Sequence, residues 1–290
     1  MPAEDMLRNA LLLQIEAGAD EAIAEAPIDR FALRPPPAAP ASARAVPAAP
    51  PAPTRPAGRP QPAPARITRP AAPAALVAAD TALGAARAAA AAAPTLADLR
   101  AAVEAFEGCA LKETATHTVF ADGAEGAPAM FIGEAPGADE DRIGKPFVGV
   151  SGQLLDRMIA AIGLSRSLNA YITNILFWRP PGNREPSSEE IALCLPFVMR
   201  HIELARPKVL VFLGGPSAKT LLGRAEGITR LRGKWQDFRT QGMLERGEPP
   251  IAAMAMFHPA YLLRTPGAKR EAWRDLLAVK ARLAETGTLR

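Results

Sequence analysis

No stretch of about 18 residues in this chain is apolar throughout without a helix breaker or a charge, so no segment reads as a membrane-crossing helix. The start lacks the long apolar core of a secretory signal. Acidic residues, Glu4 and Asp5, come first instead, which excludes a signal or transit sequence and leads us to expect a soluble, cytoplasmic protein. Between Arg34 and Arg69 there is no acidic residue, and residues 35 to 95 hold few large apolar side chains. The hydrophobic fraction of 49% is therefore misleading, because much of it is alanine in this stretch, which also carries half of the 30 prolines. Alanine and proline bury little surface per ordered residue, and proline removes backbone donors. Residues 31 to 92 accordingly read as a disordered Ala/Pro-rich linker with polyproline II character.

Ahead of the linker, "AEDMLRNALLLQIEAGAD" places Leu7, Leu11, Leu12 and Ile15 at helical spacing, with Gly18 to close the helix. Residues 1 to 30 thus read as a short helical segment. Alone it is marginal in water, and residues 1 to 20 are the candidate docking segment for a protein partner. The net charge of +4 and pI near 9.3 suit a polyanionic partner. That inference is weak, since the linker itself supplies several of the arginines.

From about Leu96 the pattern changes. Apolar runs at "AMFIGE" (129 to 134), "AYITNIL" (170 to 176), "KVLVFLG" (208 to 214) and "IAAMAMFHP" (251 to 259) read as strands buried on both faces. Helical patterns lie at 151 to 163, 187 to 205, 216 to 222 and about 268 to 285. The alternation predicts an α/β fold of three layers, α/β/α, around a mostly parallel four-stranded sheet spanning 93 to 290. Ligands of such sheets bind beyond the carboxyl ends of the strands. The segments there are "GEAPG", "RPPGN" after Asn174, "GGPS" and "FHPAYLL". Singly, each has an ordinary explanation: a strand-to-helix turn, a cap at Asn174, a half-buried His258, a core Phe147. Their convergence on one sheet edge points to a pocket.

The segments "GEAPGADEDRIGKPFVGVSGQLLDRM", "YITNILFWRPPGNREPSSEEIALC" and "MFHPAYLLR" closely resemble the family-4 uracil-DNA glycosylases, in the same order, over residues 96 to 285. The resemblance implies a monomeric repair enzyme that hydrolyses the N-glycosidic bond of uracil in single- or double-stranded DNA, in the cytoplasm at the nucleoid. It implies that backbone groups around Glu134, Ala135 and Gly137 face the extruded base and that Phe147 stacks on it. The Asn174 amide would then match uracil O4 and N3, whose donor and acceptor order cytosine reverses, and His258 would stabilise the uracil anion. Ala135 stands where the best-studied glycosylase family has an aspartate, and Gly137 where that family has a tyrosine that excludes thymine. Glu134, Glu140 and Asp141 are the nearby acids, and Glu140 ranks first as the group that orients water, with helix capping as its plainer role. The loop after His258 resembles a minor-groove segment, with Leu262 as apolar wedge and Arg264, Lys269 and Arg270 near phosphates. Arg232 and Lys234 in "LRGKW" are further candidates for the backbone clamp.

The family's members carry four cysteines on a 4Fe-4S cluster. This chain has two in all, Cys109 and Cys194, with Phe106 and Trp178 where two others are expected, and two thiolates cannot hold such a cluster in the usual way. The expectation is that no cofactor is required, and that the two rings pack together beside the cysteines. A glycosylase for other deaminated bases and a non-catalytic adaptor tethered through its N-terminal helix are the alternatives. A related group that traps uracil through a histidine on a basic insertion is disfavoured, because "FWRPPGNREPSSEE" runs straight into the next helix.

Overall fold

The computed structural model describes residues 72–287, with side chains from residue 80. The N-terminal segment and the linker up to residue 71 lie outside the described residues.

The first helix, α1 (Ala72–Ala92), lies inside the range expected to be disordered. The reason is local. After Pro73 the chain has no proline until Pro94, and alanine is the strongest helix former. The helix packs against α6 (Ser188–Ala205) through small side chains, burying Ala86 and Ala90. Arg200 of α6 ties down its end by donating to the Ala93 carbonyl at 2.8 and 3.0 Å.

Two short helices, α2 (Leu96–Ala105) and α3 (Leu111–Thr114), lead into the sheet. Its strands are β1 (Asp122–Gly123), β2 (Ala129–Gly133), β3 (Ala170–Asn174), β4 (Val209–Leu213), β5 (Trp235–Phe238) and β6 (Ile251–Met256), in the order β1-β3-β2-β4-β6-β5. The expected count of four is corrected to six. The four predicted strands form the parallel centre, and β1 and β5 pair antiparallel at its edges. The edge strands escaped notice because one is two residues long and "WQDF" is polar and half exposed.

Alternation along the central strands sorts the core into two layers, as a period of two requires. Met130, Ile132, Leu210 and Phe212 face α1, α2, α6 and α7 (Gly215–Leu222). Phe131, Ile172, Val211 and Met254 face α5 (Val150–Ala160) and α11 (Lys269–Glu285). Both faces are covered, which is why these strands read as continuous apolar runs. Register places Gly133 beside Asn174. The carboxyl ends of all four parallel strands thereby open onto one edge.

Candidate active site

A cavity of about 1030 Å³ lies at that edge, lined from the ends of β2, β3, β4 and β6. Glu134, Ala135, Gly137, Glu140, Phe147, Asn174, His258 and Arg264 all line it. Sequence reasoning picked out the turns but not Arg184, Glu185 and Lys219, which also reach the cavity; nothing in their spacing marks them apart from ordinary loop charges.

Asn174 ends β3 and is 1% exposed, and its Oδ1 is buried without a hydrogen-bond partner. An unmade bond of this kind costs about 1–3 kcal/mol, so the acceptor suits a ligand donor. A Cβ on Gly133 would sit 2.3 Å from Asn174 Oδ1 and 2.6 Å from Phe147 Cζ. Only glycine lets the amide and the ring crowd the same strand end.

Phe147 is 4% exposed and has φ 54°, the left-handed region. A bulky residue is held there at a cost of roughly 1–2 kcal/mol. Its ring centroid lies 5.5 Å from that of His258.

His258 is the N-cap of α10 (Pro259–Arg264), and its Nδ1 accepts from the Ala260 amide at 3.1 Å. Burial above all, with Arg264 adding to it and Glu140 opposing, lowers its pKa to about 4. The imidazole is therefore neutral, and with Nδ1 accepting, the proton resides on Nε2, which remains a donor.

The acids divide by environment. Glu140 sits in the first turn of α4 (Ala138–Ile143), where its Oε2 accepts from Gly137 N at 3.1 Å and its Oε1 from Val148 N and Gly149 N at 2.9 and 3.0 Å. Three backbone donors engage this carboxylate, which gives it the capping and loop-shaping role at the cavity wall. Asp141 is spent elsewhere, accepting from Thr116 N, Thr116 Oγ1 and His117 N. Glu134 is half-buried at the cavity wall, and burial, with Glu185 adding to it, raises its carboxyl above the usual range.

Two residues expected at DNA are placed otherwise. Leu262 is 1% exposed and packs with Phe257, Ala268 and Ala272, so it cannot serve as a wedge in this conformation. Its neighbours Tyr261 and Leu263 are 37% and 39% exposed. On a helix successive side chains point about 100° apart, so both neighbours of a buried residue can face solvent. Arg232 pairs with Asp275 at 2.7 and 3.0 Å, donates to the Glu271 carbonyl and lies over the Phe257 ring. Its charge is committed inside the protein. Lys234, Arg264, Lys269 and Arg270 are exposed.

At the place of the family's cluster, Cys109 and Cys194 are buried, free and hydrogen-bonded to one another, and that bond together with burial pushes the Cys194 thiol up. Phe106 and Trp178, expected to pack together beside the cysteines, belong to one apolar core with them, though without a ring-to-ring contact of their own. Phe106 meets Phe197 edge-on at 5.2 Å, Trp178 meets Phe177 at 6.1 Å, and Phe177 meets Phe197 at 6.4 Å. The two rings are thus joined through two others. Trp178 Nε1 donates to Thr118 Oγ1 at 3.0 Å. Two buried thiols, in a core they share with four aromatic rings, do not fit a cluster that needs four thiolates.

Comparison with known proteins identifies the family. The profile of the uracil DNA glycosylase superfamily matches residues 120–277. A type-4 uracil-DNA glycosylase of Archaeoglobus fulgidus is 40% identical over 167 residues, covering 56% of this chain and 80% of that protein. Type-4 enzymes of Saccharolobus solfataricus and Thermotoga maritima are 39% and 37% identical, with 81% and 77% of their lengths covered. The matched span holds Phe147, Asn174 and His258 around their common cavity, and the chain belongs to the uracil DNA glycosylase superfamily, in its type-4 group.

Proposed function

We propose that the protein excises uracil from DNA by hydrolysing the bond between uracil N1 and the sugar C1′, leaving an abasic site. The observation that carries this reading is the unpartnered Asn174 Oδ1 at the cavity wall. Uracil offers an N3–H donor to that oxygen and an O4 acceptor to the amide nitrogen of the same side chain. Cytosine offers a ring acceptor and an amino donor instead, which sets lone pair against lone pair. The Phe147 ring supplies the face on which an extruded base stacks.

As the N1–C1′ bond breaks, its electron pair passes to the ring and charge collects on O2. A neutral His258 with its proton on Nε2 donates there, and one donor of this kind lowers the barrier by about 3 kcal/mol. Water adds to C1′ and loses a proton. With Glu140 held by three amides, the acid for this task is Glu134, whose raised pKa suits a base.

Exposed Arg264, Lys234, Lys269 and Arg270 contact phosphates. Leu263 and Tyr261, not Leu262, present the apolar surface that fills the space of the extruded base. The catalytic unit begins with α1 at about residue 72, and it needs no iron–sulfur cluster, since its two thiols and the enclosing rings support a core of another kind. The test is gel-based excision from oligonucleotides carrying one uracil opposite guanine, opposite adenine or unpaired, against the same strands with cytosine. Cleavable abasic product from uracil strands alone supports the reading; product from none, with DNA binding retained, refutes it.

A further inference from the structure

We propose that Arg166 is a positioning residue for base excision, one that fixes the Phe147 platform from behind without touching DNA. The proposal rests on Phe147 being the surface on which the base stacks. Arg166 lies in the loop between α5 and β3 and is absent from the cavity wall. Its guanidinium donates from Nη1 to the Pro146 carbonyl at 2.7 Å and from Nη2 to the Phe147 carbonyl.

The peptide that follows Phe147 is gripped at both ends. Its carbonyl oxygen is held by the Arg166 cation and its amide, Val148 N, by the Glu140 carboxylate at 2.9 Å. Arg166 holds the preceding plane as well, through the Pro146 carbonyl, so both peptides flanking Phe147 are fixed and with them its ψ and its left-handed φ of 54°, a conformation an aromatic residue leaves when released. The ring direction follows from the same torsions, because Cβ is set by the backbone. Gly152, in the first turn of α5, makes room for the arrangement: a Cβ there would lie 1.8 Å from the Phe147 carbonyl oxygen.

Arg166 is itself aimed by two carboxylates from separate elements. Its Nε donates to Asp156 Oδ1 at 2.7 Å and its Nη1 to Asp122 Oδ2 at 3.1 Å. The planar fork with five donors serves four acceptors at once, which a lysine ammonium with three donors and no fixed plane cannot. The Arg166 side chain is 16% exposed and its partners Asp122 and Asp156 are 24% and 48% exposed, so the guanidinium is the shielded member of the cluster.

A double-mutant cycle on the full chain tests this. Single-turnover excision is measured for wild type, Arg166→Met, Phe147→Ala and the double variant, with thermal midpoints and the affinity for uracil-free duplex alongside. Arg166→Met, which keeps length but no donors, should slow excision about ten- to a hundredfold, the scale of a misplaced group, with duplex affinity unchanged; Arg166→Lys should recover part of the rate. In the Phe147→Ala background the same change should cost less than about threefold, because the ring it positions is gone. An equal loss in both backgrounds, or a loss of less than about twofold in the wild type, overturns the proposal. Full activity of Phe147→Ala alone would instead overturn the platform reading. If Arg166→Met does not fold, Asp156→Ala replaces it in the cycle: a slowing that vanishes with Phe147→Ala supports the proposal, and one that persists refutes it.

Discussion

Replacing Trp178 with alanine measures whether an apolar core has taken the place of the family's cluster. The side chain is 1% exposed, and a tryptophan buries about 150–250 Å², or roughly 4–6 kcal/mol at 25 cal/mol per Å². Truncations of this kind cost about 3–5 kcal/mol once partial relaxation is included. The hydrogen bond from Nε1 to Thr118 adds little, because Thr118 is only half-buried and water can replace the donor. Taking about 4 kcal/mol, and 2–4 °C per kcal/mol for a domain of this size, the thermal midpoint should fall by about 8–16 °C. Circular dichroism melts of wild type, Trp178→Ala and Trp178→Phe read this directly, with the phenylalanine variant lying between the other two. A fall of less than about 3 °C would refute the packing account. Protein purified without oxygen should carry no stoichiometric iron and no broad visible absorbance, and four irons per chain would overturn the account outright.

Asn174→Asp should abolish uracil excision near neutral pH, because a carboxylate has no donor for O4; undiminished, uracil-only activity in the gel assay would remove Asn174 from recognition. His258→Ala should slow single-turnover excision about a hundredfold or more, and a change below about threefold would assign the uracil anion to another donor. The excision rate should rise with pH through a carboxyl pKa above the ordinary glutamate value, since Glu134 acts deprotonated and burial raises it; Glu134→Gln should remove that limb, and an unchanged profile would exclude Glu134 as the base. His201 and His258 have folded pKa values lowered to about 3 and about 4, so between those values and about 6.5 the unfolded chain binds more protons and stability falls as pH falls. His201→Phe should flatten the acid limb of midpoint against pH, and an unaltered limb would refute that assignment.

The central sheet was legible because its strands are buried on both faces and its helices are amphipathic, so each element announces itself by period. Elements stabilised by their neighbours did not. The α1 helix hides inside an alanine- and proline-rich stretch, and only the local absence of proline between Pro73 and Pro94 distinguishes it. The strand Trp235–Phe238 is polar and gains its structure by pairing with β6. Among the cavity residues, Asn174 and His258 could be placed at this edge because they stand at or just after strand ends, whereas Phe147 reaches it from the loop beyond the helix that follows β2. The rotation of a short helix was not, and it decides that Leu262 is buried while Leu263 is exposed. Nor does sequence reveal that Arg232 has a partner 43 positions away in Asp275.

The placement of the charges explains how a site with several unfavourable features persists. An unpartnered amide oxygen at Asn174 and a left-handed aromatic at Phe147 together cost a few kcal/mol, a large part of the roughly 5–15 kcal/mol by which such domains are stable. Neither can relax locally, because each is over-determined by what surrounds it. Asn174 is locked into parallel register beside Gly133, and the Phe147 peptide is held between a cation and an anion. Two acids of the same turn, Glu140 and Asp141, take part in this bracing. Glu140 holds the loop that carries the platform, and Asp141 braces that loop's helix to Thr116 and His117. The Phe147 loop rests on ion-to-backbone contacts of which Glu140 lies on the cavity wall and Arg166 behind it, so sequence comparison confined to cavity residues would miss one of the two groups that hold the loop.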